Sequence, residues 1–498
     1  MFAPSFAIND QNFLCKTLVL PKPSSRNLTS TKPQFSCSSK LSPSVRFSRG
    51  KTNCNEQNIV QFDDLRRYWN LKRTLFEKLR HKDSDPVQIL EDDGDWSKEL
   101  FWAVVGFLIQ TSRSNDILQV FDKWSSKDKS RVSVLNYERI VRLLVDEGLV
   151  EVAVLALEKM TSIHGMKPSS AIYKAIIHGF VENDRFEDAL FHLKVMEDLE
   201  MKLHSSIYNG LIKSYAKNGL YDDMAKCVKR MESNGCSLDQ STYNLLIREF
   251  SIAGLIKRME RTYRIVISKR MDLETSTMVA MLEAYANFGN LEKMEKLYRK
   301  VLWLKPRVYL KDDLIRKVAV VYIENYMYSK LDDMGIKLYA RTGSTSIVWC
   351  LRMLSHACLL SRTGMESIAL EMNHRNARWS VTIANTMLFA YAKMKDFSRF
   401  KAVIFEMVAR DVKPDIVTCG ILYDAHGFGF GFGFDELDYW RKKGFFGDVV
   451  ELRTDPLVVV AFGKGDFLRI VEEFDHTKSQ NWSYEYLIDL VKQHQQCI

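Results

Sequence analysis

The chain's nine cysteines are the residues with most capacity for chemistry, and their spacing excludes most of it. They are Cys15, Cys37, Cys54, Cys227, Cys236, Cys350, Cys358, Cys419 and Cys497, and no pair has the CxxC spacing of a zinc or dithiol site. An odd number of thiols spread over helical stretches reads as structural cysteine in a reducing compartment, not as a disulfide frame. The acids near the C-terminus, Asp448, Asp455, Asp466 and Asp475, are scattered, whereas a metallonuclease centre needs a cluster. No nucleophile stands beside a positioned base. The run from Gly427 to Phe434 alternates Gly and Phe, but it lacks the preceding strand and the Lys-Ser/Thr ending of a phosphate loop. It reads as a slack insertion whose Phe side chains pack locally. The expectation is a non-enzyme with no metal and no cofactor. What recurs instead is an amide. Asn209 and Asn244 each follow a tyrosine, at 35 residues' distance, and an Asn side chain both donates and accepts.

Those amides sit on a repeating frame. Tyr208, Leu211, Ile212 and Tyr215 fall at i, i+3, i+4 and i+7, one face of a helix, and Asn218-Gly219 ends it. A second periodic run holds Leu220, Met224, Cys227, Val228 and Met231 and stops at Asn234-Gly235. Tyr173-Lys174, Tyr208-Asn209 and Tyr243-Asn244 stand at 35-residue intervals, each opening an apolar helix. A fixed period of that length predicts an all-α fold, a right-handed helical-repeat solenoid of about nine or ten antiparallel helix pairs. The recurring Tyr residues, with Met160, Met231, Met372 and Met407, are expected in the core.

The frame divides the chain. Residues 1–55 are rich in Ser, Thr and Pro, with no acid between Asp10 and Glu56, and read as an organelle transit peptide that forms no packed core. Lacking an Arg-rich amphipathic opening, this leader fits a chloroplast better than a mitochondrion. Residues 56–97 hold a basic helix over 61–82, read as a cap on the first repeat, and an acidic, breaker-rich linker. Residues 98–133 form a degenerate N-terminal repeat. The array runs over 134–450, with units at 134–169, 170–204, 205–239, 240–274 and 275–309. A degenerate unit follows at 310–345, then one at 346–380 with a shortened second helix, then a clear one at 381–415. Residues 451–498 close the chain as a degenerate repeat or cap.

Charge adds little. The formal net charge is +9, but seven Lys/Arg against one Asp in residues 1–50 supply +6 of it, leaving +3. So weak a balance does not by itself indicate nucleic acid. No apolar run approaches the ~18 residues of a membrane span.

The units resemble pentatricopeptide repeats of the plain type found in plant organelle proteins. The resemblance rests on Tyr-Asn opening the first helix, Gly at the turn, Met231-Glu232 with Gly235 late in the second helix, and the Lys413-Pro414-Asp415 ending. The tetratricopeptide alternative fits less well, since its period is 34 and its Leu-Gly element is missing. The resemblance implies a binder of single-stranded RNA, with no DNA expected, whose first helices line a concave groove and read about one base per repeat. It implies that the residue after the Tyr and the last residue of the repeat read the base, the amide pairing with a Watson–Crick edge and the terminal acid orienting it. Asn with Asp implies a preference for U.

Carried over, the reading pairs are Asn209 with Asp239, Asn385 with Asp415, and Asn244 with Glu274, whose longer acid departs from the pattern. Glu138/Ser169, Lys174/His204, Val279/Tyr309 and Cys350/Ser380 match no pairing. The base is expected between Ser206 and Ser241 at the first reader and between Thr382 and Val417 at the second. Some relatives append a deaminase tail ending in Asp-Tyr-Trp. Here Asp438-Tyr439-Trp440 is internal, and no HxE or CxxC accompanies it. The expected role is stabilising, processing, splicing or translating organelle transcripts by occupancy, with other RNA-processing proteins as partners. The competing expectation is a helical-repeat scaffold that holds a protein, an assembly factor in the same organelle.

Overall fold

In a computed structural model of the 498-residue chain, the described residues are 55–81, 84–304, 310–427, 440, 444, 450–475, 483, 484 and 486. Residues 1–54 of the transit peptide expected over 1–55, Tyr309, and the Gly-Phe run beyond Gly427 lie outside them, while Asn55 opens the first helix. All regular structure among the described residues is helical. The chain divides into two compact units, one ending at Leu273 and one running from Glu274 to Ile498.

The N-terminal unit opens with α1 (Asn55–Leu79), α2 (Pro86–Asp92), α3 (Lys98–Gln110) and α4 (Ile117–Ser126). Four helix pairs follow: α5 (Val134–Asp146) with α6 (Val150–Glu158), α7 (Ser170–Glu182) with α8 (Phe186–Asp198), α9 (Ser205–Lys217) with α10 (Tyr221–Ser233), and α11 (Gln240–Ile252) with α12 (Ile256–Ser268). The cap helix is longer than 61–82 and starts earlier. It packs on α3 through buried Leu75 and Leu79 and the stacked rings of Phe76 and Phe107, 4.6 Å apart. The acidic linker is ordered as well. Asp85 caps α2, Leu90 and Trp96 are buried, and Trp124 donates its indole N–H to the Trp96 carbonyl at 2.8 Å.

The C-terminal unit holds α13 (Thr275–Asn287) with α14 (Leu291–Leu304), α15 (Asp312–Glu324) with α16 (Ser329–Thr342), α17 (Ser346–Cys358) with α18 (Arg362–His374), and α19 (Val381–Met394) with α20 (Phe397–Ala409). Then come α21 (Ile416–Gly427), α22 (Pro456–Phe462) and α23 (Gly465–Asp475). The second helix of the 346–380 unit is not shortened; α18 has a full 13 residues. Gly364 lies inside α18 as a packing residue, since a Cβ there would stand 2.3 Å from the His356 ring.

The period is built into the backbone. Each turn between paired helices has one residue in the left-handed region: Gly148, Asp184, Gly219, Gly254, Gly289, Tyr326, Leu360 and Lys395. At Gly219 the closure is a Schellman motif, with Leu220 N–H donating to Tyr215 carbonyl at 2.8 Å. Tyr173, Tyr208 and Tyr243 are buried between helices, as are all four repeat methionines. Within the N-terminal unit α5, α7, α9 and α11 pack side by side as one layer, each backed by its own second helix.

Candidate nucleic-acid interface

Each first helix in the N-terminal unit turns one face to its partners and one outward. In α9 the inward face is Ile207, Tyr208, Leu211, Ile212 and Tyr215, all buried, while Ser206, Asn209, Lys213 and Lys217 face out. Because the helices repeat in register, outward residues line up in rows across the layer. The middle row is Arg142, His178, Lys213 and Arg248, one basic or imidazole side chain per helix. Arg142 pairs with Glu138 at 2.6 Å, His178 lies 3.5 Å from Glu182, Arg248 reaches Glu249 at 3.2 Å, and Lys213 is exposed. The next row, Asp146, Glu182, Lys217 and Ile252, is mixed. The basic row is legible in the sequence as a cation or His at near-35 spacing, yet net charge conceals it.

Beside this row stands Asn209. Its Nδ2 donates to Ser241 Oγ at 3.2 Å, and that hydroxyl donates to Asp239 Oδ1 at 2.9 Å. Asn209 and Asp239 are thus coupled through Ser241, which acts as a relay and not as one wall of a base sandwich. Asn209 Oδ1 has no hydrogen-bond partner among the described residues, although its atom surface is buried. An amide oxygen held so has one strong acceptor site to fill. Ser206, the other expected wall, is exposed. A direct version of this coupling occurs two units earlier in α5, where Ser169 Oγ donates to Glu138 Oε2 at 3.1 Å.

Asp239 also caps α11. Burial alone would push its carboxyl up, but hydrogen bonds from Ser205 Oγ, the Thr242 N–H and hydroxyl, and Ser241 outweigh it and hold the group down at about 2. A carboxyl lowered from 3.8 stabilises the fold fully above about pH 4, and that contribution fades as pH falls toward 2. Asp239→Ala is expected to cost about 0.5–2 kcal/mol at neutral pH, as loss of a helix cap does. In a thermal-melting series from pH 5 down to pH 2, its gap from the natural protein should close below about pH 4.

The other expected readers are placed differently. Asn244 is buried and turned into its own chain, donating to the Gln240 carbonyl at 2.9 Å and the Asp272 carbonyl at 3.2 Å. Glu274 is exposed and accepts from Ser276 at 3.3 Å. Asn385 and Asp415 do meet, Nδ2 to Oδ1 at 3.0 Å, but both are wholly buried. The second Asn385 N–H goes to Thr454 Oγ1 at 2.7 Å, and Asn385 Oδ1 accepts from Thr418 Oγ1 at 2.8 Å. Every donor and acceptor on this amide is used, so the expectation that it faces a nucleotide is corrected here. Thr382 and Val417, the expected walls, are buried too, and Thr382 Oγ1 accepts from Asp455 N–H at 3.0 Å.

No group of His, Cys, Asp or Glu among the described residues could hold a metal ion. Burial pushes the Cys227 and Cys358 thiols up to about 12, and Cys350 and Cys419 rise well above their ordinary value, which leaves these four unreactive. No described helix is long and apolar enough to cross a membrane.

Comparison with known proteins decides the family. The PPR repeat family model matches residues 204–251, and the PPR repeat model matches 171–201 and 276–304. A chloroplastic pentatricopeptide repeat-containing protein of Arabidopsis thaliana is 53% identical over 436 residues, covering 85% of this chain and 86% of its own. The chain belongs to the pentatricopeptide repeat family. Among solved structures, the pentatricopeptide repeat protein PPR10 from maize, in complex with an 18-nt psaJ RNA element, is similar at 16% identity and TM-score 0.42, over 84% of this chain. The match spans 61% of that PPR10 chain's length. Yeast Rmd9p in complex with its 16-nt target RNA is similar at 11% identity and TM-score 0.31, over 86% of this chain and 97% of its own. The pentatricopeptide repeats recognised by the family models fall on α7 to α11 and on α13 and α14, the units in strictest 35-residue register.

Proposed function

We propose that this pentatricopeptide repeat protein is a chloroplast RNA-binding protein that takes single-stranded transcript segments on the outward face of its first helices. It acts by occupying RNA to support its stability, processing, splicing or translation, as a binding protein and not as an enzyme. The observation that carries the reading is the half-buried amide of Asn209. Its oxygen is buried without a partner, Asp239 orients the group through Ser241, and the basic row runs beside it. Once the amide turns that oxygen outward, a base edge offering one N–H fills it, as the imide of uracil does, while phosphates follow Arg142, Lys213 and Arg248. Repeats of this family read about one base each, and the small Ser206 leaves room for a base to approach.

The test is selection from a random RNA pool by the natural protein and by Asn209→Ala. The natural protein should enrich sequences with a U at one fixed position, and Asn209→Ala should lose preference there while keeping the others. A discrimination of about 1–3 kcal/mol, roughly 5- to 150-fold, is the scale for one well-placed base contact. If the natural protein enriches nothing above a salt-sensitive background, base reading is wrong and a protein ligand takes its place on this face.

A further inference from the structure

The outward face that lies open in the N-terminal unit is covered in the C-terminal unit by the chain's own end. In α19 the residues equivalent to Ser206, Asn209, Lys213 and Lys217 are Thr382, Asn385, Phe389 and Lys393, and residues 454–462 engage all four. Thr382 receives Asp455 N–H at 3.0 Å, and Asn385 binds Thr454 at 2.7 Å. Phe389 stacks on Phe462 with centroids 5.2 Å apart and planes 8° from parallel, and Lys393 Nζ lies 5.1 Å from the same ring. On α15, Arg316 pairs with Asp455 at 2.9 Å. On α17 the equivalent positions are Ile347, Cys350, Leu354 and Cys358, the first three at most 4% exposed, and α22 packs against α15, α17 and α19. On α21 the reading position is Gly420. A Cβ there would lie 3.4 Å from both Leu468 and Phe467 of α23, and Asp424 accepts Phe467 N–H at 3.2 Å.

We infer that residues 450–475 are a built-in occupant of the nucleotide-facing surface of α15 to α21, so that Asn385 and Asp415 clamp Thr454 in place of a base and RNA is confined to the first helices α5, α7, α9 and α11. The inference rests on the RNA-reading proposal for its second half only. The occupant is permanent and not a displaceable strap, because the surface beneath it is apolar. Ile347, Cys350 and Leu354 are buried on that surface, and Leu457 and Val458 are equally buried from the other side. The open α9 shows the opposite choice, with Ser206, Asn209 and Lys213 at the same positions. This places specificity in fewer repeats than the 35-residue period counts.

The experiment is hydrogen exchange on the full chain, with and without an RNA enriched by selection, for the natural protein, Asn385→Ala and Thr454→Val. Without RNA both variants should exchange amides in 450–475 at least about tenfold faster, and their melting points should fall by about 3–8 °C. Thr454→Val keeps the side-chain shape, so the test survives if Asn385→Ala folds poorly. With RNA, added protection should appear on α5 to α11 and not on α15 to α23, and both variants should select the same bases as the natural protein. RNA-dependent protection of α17 to α21, faster exchange in 450–475 on adding RNA, or a changed base preference in Asn385→Ala would overturn the inference. Unchanged exchange in both variants would overturn it as well. If no RNA is enriched, the RNA proposal fails by itself, and the exchange of the two variants still decides whether 450–475 is clamped.

Discussion

Replacing Lys213 and Arg248 together with Ala is expected to weaken RNA binding about 25-fold at roughly 0.1 M salt, without changing which bases are preferred. Each phosphate neutralised on a single strand contributes a slope of about −0.7 in log affinity against log salt. At roughly 0.1 M that is about 0.7 log units per cation, so two cations are worth about 1.4, and the slope should become shallower by the same amount. His178, which lies 3.5 Å from the Glu182 carboxylate, is left out of the count. Arg142 is a weaker candidate than Lys213, since Glu138 pairs with it at 2.6 Å. The control is Lys229→Ala on α10, a second helix, where the side chain is exposed but outside the row. It should leave both affinity and slope nearly unchanged. The measurement is a fluorescence-anisotropy titration against a labelled selected RNA at several salt concentrations. A double variant with the natural slope would remove the row from the RNA path.

How far the sequence carried the fold depends on where its signals are local. The 35-residue step is local, because one helix face and one turn repeat, and α7, α9, α11 and α13 begin at Ser170, Ser205, Gln240 and Thr275 as the spacing requires. Turns without glycine were harder to read. Asp184, Tyr326, Leu360 and Lys395 adopt the left-handed conformation that Gly148 and Gly219 adopt, at a cost of about 1–2 kcal/mol each that neighbouring packing absorbs. The second helix of 346–380, expected to be shortened, is full length, and its Gly364 packs against the His356 ring.

The site was legible only in part, for the same reason. Asn209/Asp239 and Asn385/Asp415 are the same residue types in the same register, and nothing within their own repeats separates them. What separates them is Thr454, which is 69 residues from Asn385 and reaches it only through the folded C-terminal end. One sign was present: Ile347, Cys350 and Leu354 make the outward face of α17 apolar, which a solvated groove does not favour. Local pattern shows that such a face needs covering. It does not show which segment covers it.

Asp415→Ala is expected to be the most destabilising of these substitutions, by about 4 kcal/mol or more. The carboxylate is wholly buried and accepts from two sides. Oδ1 receives Asn385 Nδ2 and Thr418 N–H, each at 3.0 Å. Oδ2 receives Arg453 N–H at 3.0 Å, Thr454 N–H at 2.8 Å and Thr454 Oγ1 at 2.7 Å. Removing it strands several buried donors at once, each worth roughly 1–3 kcal/mol when nothing relaxes to meet it. Against a typical total of about 5–15 kcal/mol, that loss takes much of the unit's margin. Asp415→Asn should not rescue it, because its NH2 would face donors wherever it is placed. The contrast with Asp239→Ala, expected to cost about 0.5–2 kcal/mol, is the informative part. Both aspartates end a repeat and cap the next first helix, but water can reach the partners of Asp239, which is only half-buried. Urea unfolding followed by circular dichroism gives both values. Equal losses in the two variants would mean that residues 450–455 do not seal Asp415 from solvent, because the seal is what distinguishes the two sites.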